Sequence, residues 1–189
     1  MADSVWKSTL ENFRERLAGR ESVPAGVSAA AVAASLGLSL LIKVVKIVSQ
    51  RRDFQGDPAQ IEVLLAAARA ESGKLVLCAD EDIVAFAEYM SSRGTPAEPA
   101  ALQRAIQTPL GAARAATAGL QLCAEAIPLT PASIAPDLGT AALILAGSVR
   151  ALLLSVESNA LRLTDRESRD QIAREVDVLK LLARNHQPW

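Results

Sequence analysis

From Ser22 to Ile42 the chain carries no charged side chain. A run of that length is enough to cross a bilayer, where about 20 residues are needed. It leaves two structures open: a membrane span, or a helix enclosed by other helices. The residue types favour enclosure. Ser22, Ser28, Ser35, Ser39, Gly26, Gly37 and Pro24 interrupt the run, and much of the remainder is alanine. Ala30, Ala33, Ala34 and Gly37 are small enough for another helix to approach closely. No membrane association is therefore expected.

The rest of the chain supports a helical interior. Half of the 189 residues are hydrophobic but only 3% are aromatic, so alanine, leucine and valine must supply the core. Good helix formers dominate, and β-branched or aromatic clusters at strand spacing are missing. The length suits a single domain over residues 1–189. Twenty basic residues against twenty-one acidic ones leave a net charge of -1, which argues against a large uniform basic field and leaves room only for a local patch, so no nucleic-acid partner is expected. Cys78 and Cys123 lie in apolar helical stretches without CxxC spacing and read as small buried hydrophobes. The opening MADSVWKSTLENFRER is too charged for a signal peptide, so a cytoplasmic location is expected.

Periodicity and turn residues divide the chain into an all-α bundle of about five to seven helices, two or three of them long and nearly apolar. Trp6, Leu10, Phe13 and Leu17 predict a first helix over Ser4 to Ala18, stopped by Gly19. Ser28 is placed to cap a second helix running to Ser49. Asp57-Pro58 opens a third, reaching about Arg93, with Gly73 as a point of bending or breakage. A fourth spans Ala100 to Ala126, where Pro109 marks a kink or the true start. Asp137 follows Pro136 and reads as the cap of a fifth helix ending near Leu163. Thr164-Asp165-Arg166-Glu167 fits a capping box for the last helix, whose apolar face is Ile172, Val176 and Leu179.

Glycine-rich nucleotide signatures and metal-binding motifs are missing. The single histidine, His186, reads as a solvated tail residue. Acid–base work must therefore fall to carboxylates, lysines or the one tyrosine. Asp80, Glu81 and Asp82 interrupt the apolar LVLCADEDIVAFAEYM. Asp82 shares helical spacing with Leu75, Ala79 and Phe86, which would place it on a half-buried face with a raised pKa; a solvated acidic turn is the other reading. Lys43, Lys46, Arg51 and Arg52 form a basic cluster, read either as a solvated helix end or as a dock for an anionic ligand tail.

Taken together and in order, these segments resemble the formiminotransferase-cyclodeaminase family, including the stand-alone methenyltetrahydrofolate cyclohydrolases. Pro24-Ala25-Gly26-Val27-Ser28 is similar to the family loop P-G-G-G-S. The small-residue helix follows from Ala29 to Gly37. Arg51-Arg52-Asp53-Phe54 matches a basic segment ending in an aromatic residue. Asp82-Ile83-Val84-Ala85-Phe86 matches D-x-x-A-F. Pro136-Asp137-Leu138-Gly139-Thr140-Ala141-Ala142 resembles S-D-x-G-x-A-A, and Ser155-Val156-Glu157-Ser158-Asn159 resembles N-V-x-x-N. The chain departs from these patterns at Ala25, Val27, Pro136 and Ser155, and Lys46 stands where the family's second helix usually has an asparagine.

The resemblance implies an all-α, usually dimeric protein whose small-molecule substrate is a tetrahydrofolate derivative, with no cofactor or metal beyond it. It implies either ammonia loss with ring closure from 5-formiminotetrahydrofolate or hydrolysis of the methenyl bridge to 10-formyltetrahydrofolate. Asp82 is then the catalytic carboxylate. Gly26, Ser28, Lys43, Lys46, Arg51, Arg52, Asp137 and Asn159 are the expected substrate-binding residues. A relative that retained the fold as a non-catalytic binding or assembly module is the alternative. The folate reading expects Asp82, Asp137 and the Pro24–Ser28 loop to converge on one cavity.

Overall fold

The computed structural model describes residues 4–185. Six α-helices account for most of them: α1 (Leu10–Ala18), α2 (Gly26–Ser49), α3 (Pro58–Ser92), α4 (Glu98–Ala126), α5 (Ala135–Ala160) and α6 (Arg166–Asn185), with short 3₁₀ turns at Val5–Lys7 and Ile127–Leu129. The all-α bundle expected from composition is what forms. His186 lies outside the described residues.

Helices α2 to α5 make an antiparallel four-helix bundle in which each packs on its chain neighbour and α5 closes back onto α2. Cross-helix contacts fix the register. Ser35 meets Ser72 between α2 and α3, and Cys78 meets the Thr108 carbonyl between α3 and α4. Helix α6 lies across α4 and α5, tied by Arg114 to Glu175 and by Lys180 to Glu157. Both α2 and α5 are long and apolar enough to cross a membrane, but half or more of each hydrophobic window is buried inside the protein.

The small residues of α2 do what their size suggests. A Cβ on Gly37 would lie 3.1 Å from Leu145 Cγ and 3.2 Å from the Ala141 carbonyl oxygen. On α4, a Cβ on Gly119 would lie 2.9 Å from Leu38 Cδ2. These glycines let three helix backbones close around Leu38 and Leu145, both fully buried. Gaps there would forfeit dispersion contacts on every side.

Several boundaries differ from the sequence expectations. The first helix begins at Leu10 because Thr9 caps it, its Oγ1 accepting from the Asn12 amide. Trp6 therefore belongs to a separate turn, where its Nε1 donates to the Val76 carbonyl at 2.9 Å, while Leu10 faces solvent at 77% exposure. Ser28 does not cap α2. The extended Ala25 precedes the helix, and its carbonyl accepts from the Ala29 amide. Helix α3 runs unbroken through Gly73, and α4 runs through the buried Pro109. Ile134, not Asp137, stands at the cap position of α5, which ends at Ala160. Asp165 replaces Thr164 as the cap of α6, accepting from the Glu167 and Ser168 amides. Asp57 caps α3 as the sequence indicates, with Pro58 at its start.

Candidate active site

The acidic run on α3 splits into two roles because consecutive helical residues point about 100° apart. Asp80 turns toward the N-terminal segment, accepting from the Ser4 hydroxyl at 2.6 Å and the Val5 amide at 2.8 Å. Its carboxylate is a structural tether. Glu81 faces outward and is exposed. Asp82 turns inward, one helical step from the buried Ala79 and Ala85.

Asp82 meets the start of α2. That helix lacks a side-chain cap of its own, since Ala25 has no oxygen to offer. The fully buried Ser28 sends its hydroxyl to the Ala79 carbonyl at 3.0 Å, with Asp82 Oδ2 at 3.4 Å. Burial pushes the Asp82 pKa up from 3.8 to about 6, and the Ser28 hydroxyl and backbone amide pull it partway back. Desolvation wins because the charged form loses more water than these donors replace.

Asp82 lines a cavity of about 150 Å³ together with Phe86, Tyr89, Met90, Arg93, Ala105, Asn159 and Arg162. Asn159 reaches it from the end of α5. Its Nδ2 donates to the Ala105 carbonyl at 3.1 Å, and its Oδ1 accepts from Arg162 Nη1 at 2.9 Å. The Arg162 guanidinium carbon stands 6.0 Å from the Tyr89 ring centroid. The structure thus brings Asp82, Ser28 and Asn159 to one end of the bundle. Arg93 and Arg162 escaped the sequence reading as site residues, and Tyr89 entered it only as the one tyrosine able to do acid–base work. They come from the end of α3 and the turn after α5, and only the packing of both helices on α4 gathers them.

The remaining predicted residues are elsewhere. Lys43 is fifteen residues along α2 from Ser28, about 22 Å of helix rise, and it is paired with Asp137 at 3.1 Å. Asp137 therefore does not converge with Asp82. Lys46 is exposed one turn further, and Arg51 and Arg52 lie beyond the helix end. Arg51 is taken up by Asp53 through two hydrogen bonds of 2.9 and 2.7 Å. Gly26 starts α2 near Asp82, and a Cβ there would meet nothing within 4 Å. Its neighbours Ala25 and Val27 carry no strain, because no residue other than glycine has a positive φ among the described residues. Pro136 fits the first turn of α5, where an amide donor has no partner in the helix.

A larger cavity of about 640 Å³ lies beside Pro136, Leu138 and Leu143, but no titratable group lines it. Size alone favours that cavity; acid–base chemistry favours the one at Asp82. The landmark motifs are spread over most of the chain, and the profile of the formiminotransferase-cyclodeaminase family matches residues 9–178. The chain belongs to the formiminotransferase-cyclodeaminase family. Its fold is similar to the crystal structure of formiminotetrahydrofolate cyclodeaminase from Thermotoga maritima, with a TM-score of 0.91 at 18% identity, covering 97% of this chain and 93% of that one. No curated protein matches the chain. Within the family's motifs, D-x-x-A-F and the asparagine turn supply residues to the cavity, whereas the S-D-x-G-x-A-A segment lies at the other end of the bundle.

Proposed function

We propose that the protein is a one-carbon enzyme acting on a reduced folate by ammonia loss with ring closure. The observation that carries this reading is one half-buried carboxyl, Asp82, lining a cavity of mixed polar and apolar walls, where desolvation raises its pKa to about 6. Such a group is present in both protonation states near neutrality, so it can accept a proton in one step and return it in the next.

Ring closure needs this sequence of events. The folate N10 attacks the carbon of the protonated formimino group, leaving an amino group on it, and the N10 proton passes to the Asp82 carboxylate. A tetrahedral carbon results. The protonated Asp82 then donates to the amino nitrogen, the carbon–nitrogen bond breaks, and ammonia leaves with the bridge closed. One carboxyl serves both transfers. Ser28 holds that carboxyl in place by its hydroxyl, and Asn159 is fixed in the opposite wall by Ala105 and Arg162. Hydrolysis of the methenyl bridge would use the same carboxyl to activate water, and it is the alternative within this reading.

A cavity of about 150 Å³ is smaller than the several hundred Å³ typical of ligand sites. It suits the reacting end of a folate, with the remainder of the molecule along the surface. A second copy of the chain is the partner we propose, and a cytoplasmic location goes with that substrate. Purified protein should convert 5-formiminotetrahydrofolate to the methenyl form, read by absorbance and ammonia release. Asp82→Asn should lower the rate about 10²–10⁴-fold. Absence of both ring closure and bridge hydrolysis in a folded preparation would remove the enzyme reading and leave a binding module.

A further inference from the structure

We propose that Arg93 and Arg162 form a carboxylate clamp that sets the direction in which a reduced folate lies. The inference rests on the folate reading above and adds to it a recognition site for the glutamate end.

Asp82, Phe86 and Met90 follow one another along one face of α3 at helical spacing, Arg93 stands just past its last residue, and all four line the same cavity. Eleven residues separate the first from the last, about 16 Å of rise. The cavity is therefore a groove with a carboxyl at one end, a guanidinium at the other and apolar side chains between. Arg162 comes to the guanidinium end from the turn after α5, over the ring of Tyr89, one helical turn before Arg93.

The surroundings of the two arginines point to an anionic ligand. Arg162 is held by a neutral amide oxygen and an aromatic face. Neither arginine has a carboxylate partner among the described residues, whereas Arg104, on the adjoining helix, is neutralised by Glu88 at 2.7 Å. Both guanidiniums are exposed where they line the groove, open to an incoming anion, and the arginine fork matches a carboxylate's two oxygens. The one-carbon group then enters the cavity at Asp82, the aminobenzoyl ring lies over its rim at Phe86 and the exposed Met90, and a glutamate carboxylate reaches Arg93 and Arg162 at the surface. This places the anionic tail in the groove, not at the Lys43–Arg52 cluster.

The test compares two ligands on the full chain: 5-formyltetrahydrofolate, and the same compound with both glutamate carboxylates converted to amides. Titration calorimetry should show the wild type preferring the carboxylate ligand by at least about tenfold. Arg93→Gln and Arg162→Gln should each reduce that preference severalfold while leaving affinity for the amide ligand within about twofold. Asp82→Asn should leave the preference intact. Equal wild-type affinity for both ligands overturns the clamp without any variant, and so do arginine variants that weaken both ligands alike. If the clamp fails in this way while the wild type still turns over a formimino folate, the folate reading stands. Failure of the wild type to bind either ligand overturns both.

Discussion

Replacing Asp82 with asparagine is expected to stabilise the protein above neutral pH even as it removes the proton shuttle. In the native state the Asp82 pKa is raised from 3.8 to about 6, so the neutral acid is favoured by about 3 kcal/mol over the carboxylate. Between those two values the native state binds more protons than the unfolded chain. Stability contributed by this group is thus complete below pH 4 and is lost as pH rises through 6. Asparagine keeps the shape and an oxygen for Ser28 but never ionises. The variant should match the wild type near pH 4 and exceed it by about 2–3 kcal/mol at pH 8. For a chain of this size that is about 5–10 °C in Tm. Urea unfolding followed by far-UV circular dichroism at both pH values measures the difference, with the slope m expected unchanged. A variant no more stable than wild type at pH 8, or one whose advantage is the same at both pH values, would refute the assignment of Asp82 to a desolvated site. The pH profile of kcat/KM should show an inflection near 6 that Asp82→Asn abolishes.

Gly119→Ala should cost about 1–3 kcal/mol, because its Cβ would lie 2.9 Å from Leu38 Cδ2; Gly73→Ala, with open space around it, should instead add about 0.5–1 kcal/mol of helix stability, both read from urea midpoints. Asp165→Ala removes the acceptor for the Glu167 and Ser168 amides and should cost about 1 kcal/mol by the same assay. Cys78 and Cys123 are buried, and burial pushes both thiols up to about 12, so neither should react with a disulfide reagent at pH 8 until the protein is unfolded.

The division of labour between the two ends of α2 is the structural fact that most alters the sequence-level picture. At its start, Ser28 and Asp82 join α2 to α3 beside the groove. At its end, Lys43 pairs with Asp137 in an exposed ion pair, a contact of little energetic weight. A bundle of long antiparallel helices separates residues that a linear motif list sets side by side.

Periodicity, helix-forming residues and the uncharged segment were enough to determine an all-α bundle, because the apolar stripes must be buried whatever the topology. The Asp57-Pro58 start was legible because capping is local chemistry. Asp82 was legible as a carboxyl on an otherwise apolar face. The sequence could not say that Asp165 caps in place of Thr164, since either oxygen could serve and only the backbone path selects one. Nor could it bring Arg93, Tyr89 and Arg162 to Asp82. Their meeting depends on α3 and α5 both packing on α4, so that the end of each helix reaches the same end of the bundle. Secondary structure follows from neighbours along the chain, but the site is made by residues distant in sequence, and their meeting is fixed by shape complementarity in the core.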